Sequence, residues 1–373
     1  MFGMYRRVRE QRQEGPQDGA VLVIVLLMLM AMMGMLVLVV DVGGLLYRRV
    51  AIQNAADAGA LAAALSCGTN QGHADATVSA ALLAAENSDS AVLSPGYPRF
   101  EPNCEAPSGT VTVRVTVDQT LFFGQVLGSG DSAPVSAEAT AKWGGAGTSE
   151  HIAPLMLSSN RLSDCQIPPP EGVAFEAKTC TFYWDNSPLN PNDPDPVLTN
   201  AEWGTLDLLN WNVAPTVSCN NSTPPEFQTW MFDGYAGALD IEPLPAPTYV
   251  CRGQGNFGNS FDMLIEQAIT DQLFLYFPVN QPLLQIDRDG NICSPGMNCS
   301  VDKYDIIGFA KLRIVQLWSG KQEAELSPCV TRLGITPTPN SRCMVAEWVN
   351  YTNEGLNPSG GENFGVVPVS LVG

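Results

Sequence analysis

The sequence has 373 residues, a hydrophobic content of 45% and a formal net charge of −19. This hydrophobic content is sufficient for a buried core, which argues against a chain that is disordered throughout. The charge argues against nucleic-acid binding through phosphate contacts, because such binding depends on Lys and Arg. The length allows one large domain or two modest ones.

The N-terminal part combines a polar tail with a long apolar stretch. Residues 1–19 carry charges of both signs and a Gly-Pro pair, which predicts a flexible tail. Residues 20–40 contain no charge and no proline. A helix needs about 20 apolar residues to cross a bilayer, so this stretch predicts a membrane-spanning helix. A cleaved signal peptide is the alternative, although its apolar core is usually only about 7–15 residues long.

The flanks of the apolar stretch predict its orientation. Four arginines precede it, whereas an aspartate and then two arginines follow it. Because positive charge favours the cytoplasmic side, residues 1–19 are predicted to be cytoplasmic and the rest of the chain exported across the plasma membrane. The residues concerned are Arg6, Arg7, Arg9 and Arg12 before the stretch, and Asp41, Arg48 and Arg49 after it.

All ten cysteines follow the apolar stretch. An even number on the exported side is typical of disulfides formed in an oxidising compartment. Connectivity does not follow from sequence, and sequential pairs such as Cys165 with Cys180 and Cys329 with Cys343 are a guess. Metal binding is disfavoured because the sequence has no CxxC motif and contains only two histidines.

Downstream of the span, an alanine-rich run predicts that the helix continues outside the membrane and ends near Gly68 as a glycine cap. Residues 20–66 are thus predicted to form one helix that spans the membrane and extends beyond it. A second helix is predicted from Asp75 as N-cap. Alternating residues 109–118 and 133–143 predict two paired strands. We therefore assign residues 67–147 to a helix plus strand pair.

Residues 148–373 are predicted to form a mostly β, disulfide-braced exported domain. The clearest strand is 304–318, residues 260–274 are a possible helix, and the C-terminal residues form an edge strand because Pro368 disfavours a central place. The fold class predicted for the whole chain is α+β, with a single extended transmembrane helix at its start.

The residues around the span resemble the N-terminal module of TadE/TadG-like proteins, which are associated with assembly of Flp-type (tight-adherence) pili in bacteria. The string GAVLVIVLLMLMAMMGMLVLVVDVGGLLYRRVAIQNAADAGALAAA, residues 19–64, carries the resemblance. It covers about an eighth of the chain. The matching positions are Asp41, Gly43, Tyr47, Arg48, Arg49, Gln53, Ala55, Ala56, Asp57, Ala58, Leu61 and Ala62.

The sequence departs from related proteins at two points. Pilins that are cut by a prepilin peptidase usually carry glutamate five residues after the cleavage glycine. If Gly19 were that glycine, the position is Ile24, which argues against such processing. Some TadG-like proteins carry a D-x-S-x-S metal site, and that motif is absent here.

Four positions of this module are candidates for helix interactions, namely Asp41, Tyr47, Asn54 and Asp57. Asp41 lies where the predicted helix leaves the hydrocarbon core on its outward side. There we expect it to reach water or pair with an arginine rather than serve a function within the membrane. Asn54 and Asp57 share one helix face, where they contact a partner subunit or cap local backbone. Further along, residues 287–291 read DRDGN and predict an Asp-Gly turn rather than a calcium loop.

The sequence contains no GxSxG, HExxH, Walker or Rossmann motif, and no metal site or cofactor is predicted. We therefore expect no enzymatic activity. The resemblance implies a membrane-anchored assembly component of a Flp pilus or related surface apparatus, with the lipid bilayer and pilin or assembly subunits as partners. Two alternatives stay open: a minor pilin-like subunit within the fibre, and an anchored glycan-binding or hydrolase ectodomain.

Overall fold

A computed structural model describes most of the chain. The described residues are 18–123, 130–149, 151–168, 178–184, 203–219, 226–235, 237, 239–242, 246–253, 259–281, 286–293, 301–320, 327–334, 341–348, 358 and 361–372. The predicted tail, except for its last two residues, lies outside this part of the chain.

The two longest helices lie at the N-terminus, and the strands follow with three shorter helices among them. The helices are α1 (Asp18–Gly68), α2 (Gly72–Asn87), α3 (Ser159–Asp164), α4 (Phe227–Asp233) and α5 (Asn259–Thr270), with a π-helical turn at Cys329–Leu333. The strands are β1 (Val92–Leu93), β2 (Arg99–Glu101), β3 (Gly109–Thr120), β4 (Ser132–Trp143), β5 (Thr148–Ser149), β6 (Leu155–Ser158), β7 (Lys178–Trp184), β8 (Trp203–Thr205), β9 (Leu239–Asp240), β10 (Tyr249–Cys251), β11 (Phe274–Asn280), β12 (Ile286–Asp287), β13 (Val301–Ser319), β14 (Arg342–Trp348), β15 (Glu362–Asn363) and β16 (Val369–Leu371).

Helix α1 confirms the prediction of one helix that runs from the apolar stretch into the folded part of the chain. Its side chains from residue 21 to 36 are exposed, whereas Ile52, Ala56 and Ala60 are fully buried. Gly59 does not interrupt the helix. A Cβ at Gly59 would stand 3.0 Å from the carbonyl oxygen of Ala80, so the missing side chain lets α2 pack closely against α1.

The connection between α1 and α2 corrects two predicted caps. The left-handed residue after α1 is Asn70, with φ of 55°, and not Gly68. The N–H of Asn70 donates to the carbonyl of Cys67 and that of Gln71 to the carbonyl of Ser66, which is the pattern of a Schellman motif. This tight turn starts α2 at Gly72, so Asp75 lies in the first turn and is not the N-cap.

The first sheet confirms the predicted strand pair. Strands β3 and β4 form an antiparallel hairpin with a register from Gly109 opposite Trp143 to Thr120 opposite Ser132. Strands β1 and β2 pair with the outer side of β3. Alternate residues of β3 turn to one face, where they pack on α1 and α2. These valines and the helix alanines form one core, with Val111, Val113, Val115, Val117, Ala55, Ala56, Ala60, Ala63, Ala76, Ala80 and Trp143 among its members.

The second sheet has nine strands in the path β7-β14-β13-β11-β6-β8, with β10, β12 and β15 also paired to β13. Strand β13 contains the predicted strand 304–318 and is the centre of the sheet. Helix α5 confirms the predicted helix near 260–274 and buries Ile265 against one face. The other face has its own core around Phe309 and Tyr304.

The C-terminal segment joins the two sheets. Strand β15 pairs in parallel with β13, whereas β16 pairs with β4 at the edge of the first sheet. The edge position agrees with the prediction, and the sheet to which the strand belongs is the first one. Asn363 Nδ2 donates to the carbonyl of Gly68 at 2.7 Å, which anchors the segment at the end of α1. The domain boundary near residue 147 stays a prediction.

Disulfides brace both sheets. Cys67 pairs with Cys104 and Cys219 with Cys251, while the two guessed pairs, Cys165 with Cys180 and Cys329 with Cys343, are confirmed. No cysteine within the described residues is free. The long N-terminal helix, the sheets and the disulfides together confirm the α+β class.

Candidate functional site

Helix α1 is the one described helix that is long and apolar enough to cross a membrane. Its most apolar 18-residue window has a mean hydropathy of 3.1, and none of that window is buried within the chain. Exposed side chains of this kind are stable when an apolar environment covers them. The helix therefore fits a single-pass membrane protein.

Asp41 binds the tip of the β3–β4 hairpin. Its Oδ1 accepts a hydrogen bond from the backbone N–H of Phe122 at 3.0 Å, and its Oδ2 accepts one from Phe123 at 3.1 Å. Hydrogen bonds to an ionised acceptor are stronger than those between neutral groups. The sequence-based expectation for Asp41 did not include this contact, in which two backbone amides bind a carboxylate that stays half-exposed.

Two further contacts hold α1 to the folded part of the chain. Arg48 Nη2 donates to the backbone carbonyl of Asp89, just after α2. Gln53 Nε2 donates to the carbonyl of Glu138 on β4 at 3.2 Å and to Asp57 Oδ1 at 2.9 Å. The helix is thus attached at three successive levels, to the hairpin tip, to the end of α2 and to β4.

The opposite face of α1 is open. Tyr47 is 78% exposed and Val50 is 63% exposed, and Asn54 is exposed as well. Positions three and four apart lie on one face of a helix, so these three side chains form a single outer stripe. We call Tyr47, Val50 and Asn54 the outer stripe of α1.

Comparison with known proteins gives one match. The family model described as Flp pilus-assembly TadE/G-like matches residues 19–66. Those residues form a TadE/G-like segment. The resemblance inferred from the sequence is thereby confirmed for the apolar half of α1 and most of its packed half. Searches of curated proteins and of solved structures found no match to the chain.

The four predicted interaction positions of the TadE/G-like segment fall into two groups. Asp41 and Asp57 hydrogen-bond within the chain, whereas Tyr47 and Asn54 project outward on the outer stripe. Their roles as partner contacts stay predictions. Sequence reasoning missed Gln53 as the link to β4, and it missed the pairing of Asp41 with Phe122 and Phe123. A signal that could have indicated the contact of Asp41 is the pair Phe122-Phe123 at the end of a predicted strand, where no sheet core is available to bury both rings.

A polar cavity of about 490 Å³ lies beside α3 and the C-terminal segment. Amide and hydroxyl side chains dominate its lining, and one carboxylate faces it. Burial raises the pKa of Glu362 above its ordinary value, which favours the neutral acid. Such a lining suits a neutral, hydrogen-bonding ligand. It comprises Ser159, Asn160, Ser163, Gln166, Ile167, Pro168, Gln281, Ile307, Glu362, Asn363 and Phe364.

The DRDGN segment forms the predicted turn. Asp287 Oδ1 accepts the backbone N–H groups of Asp289 and Asn291, at 2.9 and 2.8 Å. Hydrogen bonds from Asn291 lower the pKa of Asp287. Across the described residues, no group of three or more His, Cys, Asp or Glu side chains is placed to hold a metal ion.

Strand β13 carries charged side chains that are buried within the fold. Lys303 is fully buried, and its Nζ lies 3.1 Å from Asp302 Oδ2, which also accepts the N–H of Cys219. Asp305 Oδ1 accepts the N–H of Thr248 at 2.9 Å. Burial raises the pKa of Asp305 to about 6.

Proposed function

We propose that this chain is a membrane-anchored structural component of Flp pilus assembly or of a related cell-surface apparatus. In this proposal α1 crosses the plasma membrane with its N-terminus in the cytoplasm, and the ectodomain acts outside by lateral association with pilin or assembly subunits. No catalytic step is required. The TadE/G-like match, the exposed apolar span and the disulfides of the exported part support it.

The observation that carries the proposal is the continuity of α1. The same helix contains the apolar span and packs in the core of the first sheet, so one continuous helix links the anchor to the ectodomain. A flexible tether would allow the ectodomain to diffuse away from the membrane surface. A continuous helix instead keeps it at a defined height, which suits a part that must meet partners at the membrane.

The test is piliation of a strain from which the gene is deleted. We expect loss of pili or of adherence, and restoration by the full chain. Restoration should fail for a chain exported with a cleavable signal sequence in place of residues 1–40, because membrane retention is then removed. Normal piliation after deletion would contradict the proposal. Recovery of the chain in sheared pili would instead support a minor pilin subunit.

The polar cavity favours one second candidate, an anchored glycan-binding ectodomain. Its amide and hydroxyl groups offer the hydrogen bonds that a neutral sugar requires. The full chain in detergent, screened against a panel of soluble glycans, tests this function. We expect binding to weaken for Asn160→Ala and Gln281→Ala if the cavity is the site, and no binding by the full chain would reject it.

A further inference from the structure

The hairpin tip lies at the level where α1 leaves the membrane. Asp41 is the first charged residue after the apolar stretch, and its carboxylate holds the backbone of Phe122 and Phe123. Strand β3 ends at Thr120, so both phenylalanines belong to the turn and not to the sheet. The lowest described point of the ectodomain is therefore beside the bilayer surface, provided that α1 spans the membrane as proposed above.

The ring of Phe122 is not buried by the described residues. Its side chain is 77% exposed, in contrast to the fully buried valines of the same strand pair. Beyond the hydrocarbon core, a bilayer has a headgroup layer of about 5–8 Å on each side, which four to five helical residues cross. A ring attached at the height of Asp41 therefore lies within this layer.

The neighbouring surface of α1 continues the apolar character. Val42, Leu46 and Tyr47 are exposed just above Asp41. Aromatic side chains are favoured at membrane interfaces, where a ring leaves water while nearby polar groups stay hydrated. Because this surface is continuous with that of the span, lipid is the occupant that the geometry favours over a second copy of the chain.

We propose that the β3–β4 hairpin tip is a second membrane contact. Phe122 enters the outer interface of the bilayer, and Asp41 is the positioning residue that holds the hairpin at that depth. The contact buries apolar surface and does not require anionic lipid, since the chain itself is strongly acidic.

Two attachments side by side determine the direction of the ectodomain. From Asp41 to Gly68, α1 extends about 40 Å, and the 12 residues of β3 extend about 40 Å as well. These elements form a stalk that stands on the helix exit and on the hairpin tip. A single helix could swivel in the bilayer, whereas two contacts resist tilting and hold the second sheet away from the surface.

The experiment uses the full chain in phosphatidylcholine nanodiscs, with the photoreactive analogue p-benzoylphenylalanine placed at one position at a time. Position 122 tests the proposal, and position 35, within the apolar span, is the positive control. Val78 on α2 is the matched negative control, because it is 64% exposed. It lies two residues from Ala80, which contacts Gly59 about 27 Å along α1 from Asp41.

We expect lipid adducts, detected by mass spectrometry, at positions 35 and 122 and none at 78. Asp41→Ala should lower the yield at 122 about tenfold, equivalent to about 1.4 kcal/mol, without affecting position 35. Asp41→Asn retains one acceptor oxygen and should fall between. Asp75→Ala removes an exposed carboxylate in the first turn of α2, far along α1 from Asp41, so it should leave the yield at 122 unchanged.

The outcomes separate this proposal from the anchoring on which it rests. Adducts at position 35 with none at 122 would overturn the second contact and leave the anchor intact. Absence of adducts at 35 would overturn both. Crosslinks from 122 to another copy of the chain, in place of lipid, would overturn the choice of lipid as occupant.

Discussion

The two sheets of this protein bury different kinds of side chain. The first sheet packs valines against the alanines of α1 and α2, and no charged side chain is buried there among the described residues. The second sheet buries large aromatic rings together with charged groups, including Asp302, Lys303 and Asp305.

Side-chain size also differs between the two halves of α1. Small side chains let α1 contact both α2 and the sheet, with Gly59 at the closest approach. The larger Leu, Met and Val side chains of residues 21–36 find no such partner in the chain. The second sheet buries charged side chains, so its stability depends on hydrogen bonds that satisfy them.

The largest expected effect is loss of the buried lysine. Lys303→Met should lower the free energy of unfolding by about 3–5 kcal/mol, because the carboxylate of Asp302 is left buried without its partner. Urea unfolding of the full chain in detergent measures it. Adding Asp302→Asn should restore most of the loss, since a neutral amide still accepts the N–H of Cys219. Equal destabilisation in both variants would show that the ion pair is not the cause.

The next largest effect is expected from a substitution that disrupts the close packing of α1 against α2. Gly59→Leu should lower the free energy of unfolding by about 2–3 kcal/mol, because the added side chain meets the backbone of Ala80. Gly43→Leu is the matched control in the same helix, where a Cβ meets nothing within 4 Å. There we expect no loss, or a gain of up to about 1 kcal/mol from helix propensity. Similar losses in both variants would argue against close packing at Gly59.

A smaller effect concerns the pH dependence of the free energy of unfolding, through Asp305 of the second sheet. Because the folded-state pKa of Asp305 is raised to about 6, the folded state retains a proton between pH 4 and 6 that the unfolded state has released. Its contribution to stability is therefore greatest at low pH and falls as pH rises through 6. Asp305→Asn retains an acceptor for Thr248 and should stabilise the protein by about 1–2 kcal/mol at pH 7.5, with little change at pH 4. Thermal unfolding at both values checks it, and equal gains at both would contradict the assignment.

The smallest effect on stability concerns the outer stripe. Tyr47→Ala with Asn54→Ala should change the free energy of unfolding by less than about 0.5 kcal/mol, because both side chains are exposed. If these positions contact a partner, as the sequence predicts, piliation should fall although the protein stays folded. Unchanged piliation would reject a partner role for the outer stripe. Val78→Ala, on the exposed side of α2, is the control that should leave piliation intact.

Local sequence patterns predicted α1 and the β3–β4 hairpin well. The alternation of Val111, Val113 and Val115 indicated β3, and the alanine-rich run indicated the extension of α1, because each pattern has the period of one element. The caps were less predictable. Asn70 adopts the left-handed conformation in a turn that no periodicity marks, and α2 starts sooner than Asp75 suggested.

Contacts between distant residues were outside the reach of these patterns. Asp41 and Phe122 are 81 positions apart, and the packing of the β3–β4 hairpin on α1 brings them together. The placement of β16 on the first sheet likewise depends on the route of the C-terminal segment past β13. The burial of Lys303 next to its neighbour Asp302 follows from the sheet that surrounds them and not from the sequence around them.

The sequence by itself determined the apolar span, the continuation of its helix, the hairpin and the TadE/G-like resemblance, because hydropathy and periodicity are local properties. Only the tertiary structure decided what the carboxylate of Asp41 binds, which face of α1 stays open and how the C-terminus joins the two sheets. Those features depend on the free energy of bringing distant segments together, which no single stretch of sequence contains.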